Sequence, residues 1–324
     1  MRERPTNDSS LMNFAPEVAR DFQVILKGLQ SLMRSPLARQ HLVLTGGIAL
    51  HVFHSEGNPS RLTKDIDFNF RSSDIEDEKE VLETLRNQID EIVKESLVSI
   101  GVDPANIYVN PSYPLSRIGG HVPLGMRGQT LDLKIEVGYT RRIPLLKDKE
   151  ITLANEFGID EITVKVPQLE EVITSKMGAL LNRAYPRDLF DVHYAMNLSY
   201  NPLLLRKCFI METLMVLDAP VWETDFESTI SGISYDTALA NVLPVQSATK
   251  DEFIQMKEMV IKKLKEVVNS LTIEERKGIE LFYSDTELDF TLLDAESVFA
   301  PSISKHPLLR RQLQEMKELQ EHKD

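Results

Sequence analysis

The period of the apolar residues changes twice within the first fifty positions. They recur at intervals of three and four at Val18, Phe22, Ile25, Leu29 and Leu32. This spacing predicts an amphipathic helix, and the apolar run 41–45 predicts a short buried strand. The strand leads directly into Gly46-Gly47 and a second apolar helix over 48–53. A strand, a glycine turn and a helix in this order suit the binding of phosphate, although a plain tight turn explains the pattern more simply.

A strand with one solvent-exposed face and one buried face is predicted at 64–70. Asp65, Asp67 and Asn69 alternate there with three apolar side chains. A charged helix is predicted over 74–100. Further strands are predicted near Ile107 and over 117–122, 130–139 and 161–166.

After Pro167 the pattern becomes almost wholly helical. Helices are predicted over 169–183, 186–197, 203–217, 250–271 and 306–322. We therefore expect an α/β (α+β) fold, in which a mixed β-sheet with flanking helices occupies residues 1–166. A mainly α-helical domain is expected to follow over residues 167–324.

Asp65 and Asp67 are candidate metal ligands. Side chains at i and i+2 of a strand leave the same face, roughly 6 to 7 Å apart at their roots. Two carboxylates at this spacing suit Mg²⁺ or Mn²⁺ that also binds water and the oxygens of a triphosphate. An isolated Asp-x-Asp more often belongs to a polar strand face or a turn. Here, however, Gly46-Gly47 lies shortly before it, so both halves of a metal-phosphate site are close in the sequence.

The strand 130–139 offers a third acid. Asp132, Lys134 and Glu136 share its polar face. Either acid would complete the metal site or act as general base toward an attacking hydroxyl. The solvent-facing side of an edge strand explains the same pattern equally well, so both interpretations stay open.

Lys176 lies on an apolar helical stripe. The stripe is formed by Leu169, Val172, Ile173 and Leu180. A cation in this position needs a carboxylate or a phosphate as its partner, unless its stem carries it to the surface. In the next helix, periodicity places Arg187, Asp188 and Asp191 beside the apolar stripe, which predicts a solvated face with one ion pair.

Composition limits the class of protein. The chain has 324 residues, 42% of them hydrophobic and 27% charged, which fits one or two globular domains. Its net charge of −13 argues against a general nucleic-acid coat but is compatible with local basic patches. No stretch is apolar enough to span a membrane and no secretion signal is evident, so we expect a cytoplasmic protein. The single cysteine, Cys208, excludes an internal disulfide.

Four segments in order resemble the AbiEii/AbiGii toxin family of nucleotidyltransferases, which includes the MenT-type toxins. They are Gly46 to Leu50, Arg61 to Asp67, Lys134 to Glu136, and Lys176 to Arg183 followed by Arg187 to Asp191. The resemblance covers about residues 40 to 197. It implies a nucleotidyltransferase-type sheet and transfer of a nucleoside monophosphate from an NTP to an acceptor hydroxyl, with release of pyrophosphate.

The resemblance also implies a role for each matched residue. The catalytic positions are Asp65, Asp67, Glu136, Lys176 and Asp191, of which the first three bind the metal. The nucleotide-binding positions are Thr45, Gly46, Gly47, Lys64, Lys134, Arg183, Arg187 and Asp188. The helical domain would thus contribute its Lys176 and Asp191 motifs to the site. Many relatives have a Gly-Ser turn, whereas here the second position is glycine and Thr45 carries the only nearby hydroxyl.

The biological role implied by the resemblance is that of a toxin in a type IV-like toxin–antitoxin or abortive-infection system. The expected acceptor is tRNA or another RNA, and the expected partner is a cognate antitoxin of the winged-helix regulator type. One alternative is a small-molecule acceptor, as in antibiotic-adenylylating enzymes, which the acidic charge slightly favours. Another is a module that binds a nucleotide or a partner without turnover, and release of pyrophosphate separates it from the other two.

An RNA acceptor predicts a basic path beside the site. The available side chains are Arg61, Lys64, Arg117, Arg127, Arg141, Arg142, Arg183 and Arg187. Replacing Arg141 and Arg142 together with glutamine should raise the KM for the acceptor more than the Kd for the triphosphate. An equal loss of both, or no loss, would argue against an RNA bound at these two positions.

Overall fold

The computed structural model describes residues 11–72, 79–110, 114–125, 128–154, 157–245 and 249–321. The chain divides into two compact units, each made from several segments. The first consists of Met1–Arg142, Asp148–Pro167 and Asn241–Ser247, and the second of Ile143–Lys147, Gln168–Ala240 and Ala248–Asp324. The assignment of separate roles to residues 1–166 and 167–324 stays a prediction.

The first unit contains all the described strands and four helices of the described chain. Its elements are α1 (Pro16–Leu32), α2 (Pro36–His41), β1 (Leu42–Thr45), α3 (Gly46–Ile48), a π-helical turn (Ala49–Phe53), β2 (Asp65–Phe70), α4 (Lys79–Ser99), a 3₁₀ turn (Pro104–Asn106), β3 (Tyr108–Asn110), β4 (Leu115–Pro123), β5 (Thr130–Gly138), β6 (Lys149–Leu153) and β7 (Ile162–Val166). The start predicted for the charged helix at residue 74 lies outside the described residues.

Five described strands form one mixed sheet in the order β1-β2-β5-β4-β3. β2 and β5 are parallel, and every other pair in this sheet is antiparallel. The α/β fold predicted from the hydrophobic pattern is therefore confirmed. The other two strands, β6 and β7, form an antiparallel hairpin of their own. β6 was not predicted, because its largely exposed residues show little apolar alternation and its pairing with β7 depends on distant residues.

The dry face of the five-stranded sheet forms the core of the first unit. Ile66 of β2 and Leu133 and Ile135 of β5 are almost completely buried there. α1 packs so closely on this face that a methyl group added at Gly28 would lie 3.0 Å from Leu133. Because one face of the sheet is covered in this way, the alternating polar residues of β2 and β5 must share the opposite face.

The second unit is helical throughout its described elements. They are α5 (Leu169–Arg183), α6 (Pro186–Ala195), α7 (Pro202–Val216), a 3₁₀ turn (Val221–Glu223), α8 (Phe226–Ser231), α9 (Thr237–Ala240), α10 (Lys250–Asn269), α11 (Ile273–Ser284), α12 (Phe290–Leu293), a 3₁₀ turn (Pro301–Lys305) and α13 (Pro307–Glu321). The five helices predicted for this region are present. In the described part of the chain, none is long and apolar enough to cross a membrane.

The sequence pattern missed α11 although the helix has a capping box, in which Thr272 and Glu275 satisfy each other's backbone amides. The buried face of α11 contains Glu275 and Gly278 beside Ile279 and Phe282. A charged residue and a glycine on the inner face obscure the apolar period, so the helix could not be recognised from hydrophobicity alone.

A buried lysine explains why Glu275 is on the inside. Lys207 of α7 is 1% exposed, and its Nζ lies 2.8 Å from Glu275 and 2.5 Å from Glu296. The same ammonium group donates a hydrogen bond of 2.9 Å to the carbonyl oxygen of Leu293 at the end of α12. Since a buried charge needs a partner, this cluster holds α7, α11 and the end of α12 in one arrangement.

We predict that Lys207→Met destabilises the second unit by about 3 kcal/mol, the lower end of the range for breaking a buried ion pair. The buried Glu275 carboxylate loses its ammonium partner but keeps the guanidinium group of Arg206 at 3.2 Å. Urea denaturation followed by the fluorescence of Trp222, the single tryptophan, would measure the loss in this unit. The matched control is Lys263→Met, which removes an exposed pair with Glu266 and should cost less than about 1 kcal/mol. Adding Glu275→Gln to Lys207→Met should restore part of the stability, and a further loss would contradict the explanation.

Candidate active site

The polar face of the sheet in the first unit brings the predicted acids of β2 and β5 together. In the parallel register of these strands, Asp67 pairs with Glu136 and Asp65 with Lys134. On the other side of β2, Thr45 of β1 pairs with Asp67. Because neighbouring strands are about 5 Å apart, Thr45, Asp67 and Glu136 form one row across three strands.

Gly46 lies directly against Asp67. Its φ of 68° is in the left-handed region, and a methyl group added there would overlap the Oδ2 atom of Asp67. Only glycine therefore provides both the backbone turn and the space for this carboxylate. The sequence pattern predicted a close approach of phosphate at this turn, whereas the structure adds a second reason for glycine.

Gly47 has different surroundings. It is buried, and a methyl group added there would lie 3.1 Å from the guanidinium group of Arg61. Arg61 is itself buried and donates a hydrogen bond of 3.0 Å to the carbonyl oxygen of Leu62. The guanidinium group of Arg61 thus packs close to the glycine turn. Lys64, just before β2, is exposed.

Glu136 forms an ion pair with Arg117 of the neighbouring strand β4. The Nε of Arg117 lies 2.5 Å from Oε1 of Glu136. The hydrogen bond to Glu136 and the charge of this carboxylate raise the pKa of Arg117, and the charge of Asp65 raises it further. The predicted third metal ligand therefore holds a guanidinium group beside the two acids of β2.

Asp132, the alternative third acid, is bound elsewhere on the same face. It pairs in register with His121 and accepts a hydrogen bond of 2.9 Å from the hydroxyl of Tyr108. Lys134 lies 3.7 Å from its other oxygen. Burial raises the pKa of Tyr108, and the hydrogen bond to Asp132 acts in the same direction, so the phenol remains a donor at neutral pH. The register places Glu136, not Asp132, opposite Asp67.

The donor set determines which kind of metal site is compatible with this face. Among the described residues, no three or more His, Cys, Asp or Glu side chains form a group that could hold a metal ion. Mg²⁺ commonly uses one or two carboxylates and completes its shell with water and substrate phosphates. Asp65 and Asp67 are two carboxylates on one face of β2, which is the kind of donor set that such an ion uses. Their role as metal ligands stays a prediction, as does that of Glu136.

In the second unit, α5 and α6 are joined by two ion pairs. Lys176 lies 2.8 Å from Asp191, which is completely buried. Arg183 donates two hydrogen bonds, of 2.7 and 2.8 Å, to the carboxylate of Asp188, which is also buried. The predicted solvated face at Asp188 and Asp191 is therefore wrong. Periodicity treats polar residues as outward-facing, whereas here the neighbouring helix supplies the cations that make burial possible.

The predicted site residues thus form two groups. The first unit contains Thr45, Gly46, Gly47, Lys64, Asp65, Asp67, Lys134 and Glu136, and the second contains Lys176, Arg183, Arg187, Asp188 and Asp191. Strand register brings Thr45, Asp65, Asp67, Lys134 and Glu136 together in the first unit, and ion pairs join Lys176 to Asp191 and Arg183 to Asp188 in the second. The use of both groups in one reaction stays a prediction.

Three cations of the predicted basic path have contacts inside the protein. Arg61 backs the glycine turn, Arg117 binds Glu136 and Arg183 binds Asp188. Arg127 lies outside the described residues, Arg141 and Arg142 are half-buried, and Lys64 and Arg187 are exposed. Burial therefore removes Arg61 from any basic path, whereas the side chains of Arg117 and Arg183 stay 41% and 44% exposed beside their carboxylates.

Sequence reasoning missed two tyrosines that contact candidate site residues. Tyr108 binds Asp132, and Tyr185 lies against Arg183. Tyr108 lies on the three-residue strand β3 opposite Gly119, where any larger side chain would collide with the Tyr108 hydroxyl. The available signal was Gly119-Gly120 within a strand, which indicates a close approach of another group. The signal for Tyr185 was an aromatic residue between Arg183 and Arg187.

Comparison with known proteins finds a family model and solved structures that resemble this chain. A family model described as the nucleotidyl transferase AbiEii toxin of type IV toxin–antitoxin systems matches residues 29–240. MenT4, a nucleotidyltransferase toxin from Mycobacterium tuberculosis H37Rv, aligns with a TM-score of 0.56 and 14% identity over 93% of both chains. The structure of JHP933 from Helicobacter pylori aligns with a TM-score of 0.44 and 18% identity, over 80% of this chain and 97% of that one. The curated proteins contain no match.

The matched region contains the glycine turn, the polar face of β2 and β5, and the ion pairs between α5 and α6. The family match, on a fold that aligns with MenT4, defines the class of protein as a nucleotidyltransferase. Since the family model covers well over half of the 324 residues, the chain belongs to the AbiEii family of nucleotidyltransferase toxins. The resemblance recognised in the sequence is confirmed.

We predict that Gly46→Ala lowers the rate of pyrophosphate release from NTP about 100-fold, because displacement of the Asp67 carboxylate by about 1 Å is enough for such a loss. The matched control is Gly125→Ala. Gly125 has a similar φ of 73° but no atom within 4 Å of an added methyl group. The left-handed backbone should cost both variants roughly 1 kcal/mol of stability in thermal unfolding, and the overlap with Asp67 should cost Gly46→Ala more. At a temperature where both are folded, only Gly46→Ala should lose activity. Comparable activities in the two variants would contradict this role of Gly46.

Proposed function

We propose that this toxin uses a divalent metal ion to transfer a nucleoside monophosphate from an NTP to a hydroxyl of an RNA, with tRNA as the first candidate acceptor. The observation that carries the proposal is the position of Asp67, between the glycine turn at Gly46 and the Glu136–Arg117 pair. The family assignment supports nucleotide transfer, and its type IV toxin–antitoxin description supports a cognate antitoxin as partner.

In this proposal, Asp65 and Asp67 hold the metal ion. When bound, Mg²⁺ would neutralise charge on the phosphates and help to align the triphosphate. Gly46 and Gly47 allow the backbone to approach the phosphates closely, and Arg117 places a positive charge beside the same face. Glu136 keeps Arg117 in position and is the candidate to accept a proton from the attacking hydroxyl.

The second unit is proposed to neutralise further charge of the triphosphate. Lys176 is 13% exposed, so its ammonium group is accessible only in part, and the buried Asp191 fixes its direction. The acceptor hydroxyl attacks the α-phosphorus, the bond to the β-phosphate oxygen breaks, and pyrophosphate leaves with the negative charge. Positioning and charge neutralisation provide most of the catalysis in reactions of this kind, which is why fixed cations matter.

An RNA acceptor must overcome the net charge of −13. Exposed cations close to the motifs, such as Lys64 and Arg187, would provide local attraction. A cationic small molecule would be attracted by the acidic chain as a whole. This difference makes the acceptor the first property of the protein to measure.

The proposal predicts that wild-type protein, incubated with Mg²⁺, total tRNA and each of the four α-labelled NTPs in turn, transfers label to RNA. Asp67→Asn should lower transfer at least about 100-fold, because it removes a charge that binds the metal without changing the size of the side chain. Glu91→Gln removes an exposed carboxylate from the same unit and should transfer label like the wild type. Chelation with EDTA should abolish transfer, and added Mg²⁺ should restore it.

The outcomes separate the competing functions. Absence of label on RNA, together with pyrophosphate release in a cell extract, would replace RNA by another acceptor such as a small molecule. Transfer that persists in EDTA would overturn the proposed metal dependence. Equal activities of Asp67→Asn and wild type would overturn the proposed site.

A further inference from the structure

Tyr185 is an exposed aromatic residue in the turn between α5 and α6. It is 51% exposed and is the one aromatic residue among the exposed large hydrophobic side chains in the described part of the chain. An isolated exposed apolar residue needs no explanation by itself. The environment of Tyr185, however, fixes both its ring and its backbone.

The ring lies against a cation that is itself held in place. The guanidinium carbon of Arg183 lies 5.3 Å from the centroid of the Tyr185 ring, which is within the range of a cation–π interaction. Two short hydrogen bonds bind the same guanidinium group to the buried carboxylate of Asp188. A buried anion therefore orients Arg183, and Arg183 supports the ring.

The backbone on both sides of the ring is restricted as well. Ala184 has a φ of 52°, a left-handed conformation that is unfavourable for alanine. Pro186 occupies the first turn of α6 and restricts the preceding residue to an extended conformation, which Tyr185 adopts with φ −84° and ψ 145°. The aromatic ring is thus presented to solvent in an orientation that is largely set before any ligand binds.

A second cation–π pair in the same unit, between Arg276 and Trp222, has a structural role and can be compared with Tyr185. Arg276 lies 4.9 Å from the ring centroid of Trp222, and Trp222 is partly buried against the hydrophobic core of the second unit. Tyr185 is not part of that core. The Arg183–Asp188 pair joins α5 to α6 without any need for an aromatic ring. Packing therefore explains Trp222 but leaves Tyr185 unexplained.

A flat aromatic ring with a cation behind it is suited to stacking with another planar ring system. Proteins bind nucleobases in this way, by combining exposed aromatic residues with positive charge along the phosphate chain. Arg187, two residues after Tyr185, is exposed in the first turn of α6 and supplies such a charge. We propose that Tyr185, supported by Arg183, is a stacking platform for a nucleobase.

This inference rests on the proposed function, since the base comes either from the NTP or from an unpaired nucleotide of the RNA acceptor. Both sources share the same chemistry and can be separated by measuring binding without turnover. The RNA probe is a fluorescein-labelled single-stranded oligoribonucleotide of mixed sequence, without NTP. The NTP probe is each of the four NTPs with Mg²⁺, without acceptor, in equilibrium dialysis.

Tyr185→Leu and Tyr185→Phe form a matched pair of variants, because both remove the hydroxyl but only phenylalanine keeps the aromatic ring. We expect Tyr185→Leu to weaken binding of at least one probe by about 5- to 100-fold, the range for loss of one base–aromatic stack. Tyr185→Phe should bind within about twofold of the wild type. Because the side chain is half exposed, thermal unfolding should be nearly the same for all three proteins, and this measurement controls for folding.

A loss confined to the RNA probe would assign the platform to the acceptor, and a loss confined to one or more NTPs would assign it to the base of the triphosphate. Wild-type affinity of Tyr185→Leu for both probes would overturn the platform, as would equal losses in the two variants or a wild type that binds neither probe. If RNA binding depends on the ring but the wild type transfers no nucleotide, the proposed function fails and the platform stands. If transfer is observed but both variants bind like the wild type, the function stands and the platform fails.

Discussion

The parallel pairing of β2 with β5 is the constraint on which the site depends. It places Asp67 opposite Glu136, and the same pairing puts Ile66 beside Ile135 on the dry face under α1. Side chains alternate along a strand, so a shift of one residue would turn the carboxylates into the core and the core residues into solvent. The hydrophobic core therefore fixes the register, and the register fixes the geometry of the acids.

Buried charge pairs have a comparable role in the second unit. Lys176 with Asp191, Arg183 with Asp188 and Lys207 with Glu275 each place a carboxylate inside the helical unit. Such pairs contribute little net stability, because desolvation opposes the attraction. Removing one partner is nevertheless costly, so each pair selects one arrangement of its helices. Two of the three pairs lie within the region that the family model matches, and there the buried carboxylate fixes the direction of the cation.

A net charge of −13 opposes the approach of a negatively charged substrate to this nucleotidyltransferase toxin, so we expect local exposed cations to be needed. Two arginines that the sequence offers for RNA binding, Arg117 and Arg183, are paired with the carboxylates of Glu136 and Asp188, which offset their charge. Charge counted along a sequence therefore overestimates the charge available to a ligand. The remaining exposed groups, including Tyr185 and Arg187, are where binding specificity is expected to arise.

The sequence by itself determined the fold class, the family and the face on which Asp65 and Asp67 lie, because these follow from local periods and from motif order. It did not determine the partner of Glu136 or the burial of Asp188 and Asp191. It also missed α11, whose inner face contains a charge, and the preorganised ring of Tyr185. These features depend on side chains that are distant in sequence or on the backbone conformation of a turn, and hydrophobic periodicity carries no information about either. Only the tertiary structure decided them. A carboxylate can be buried only where folding places a cation from another part of the chain beside it.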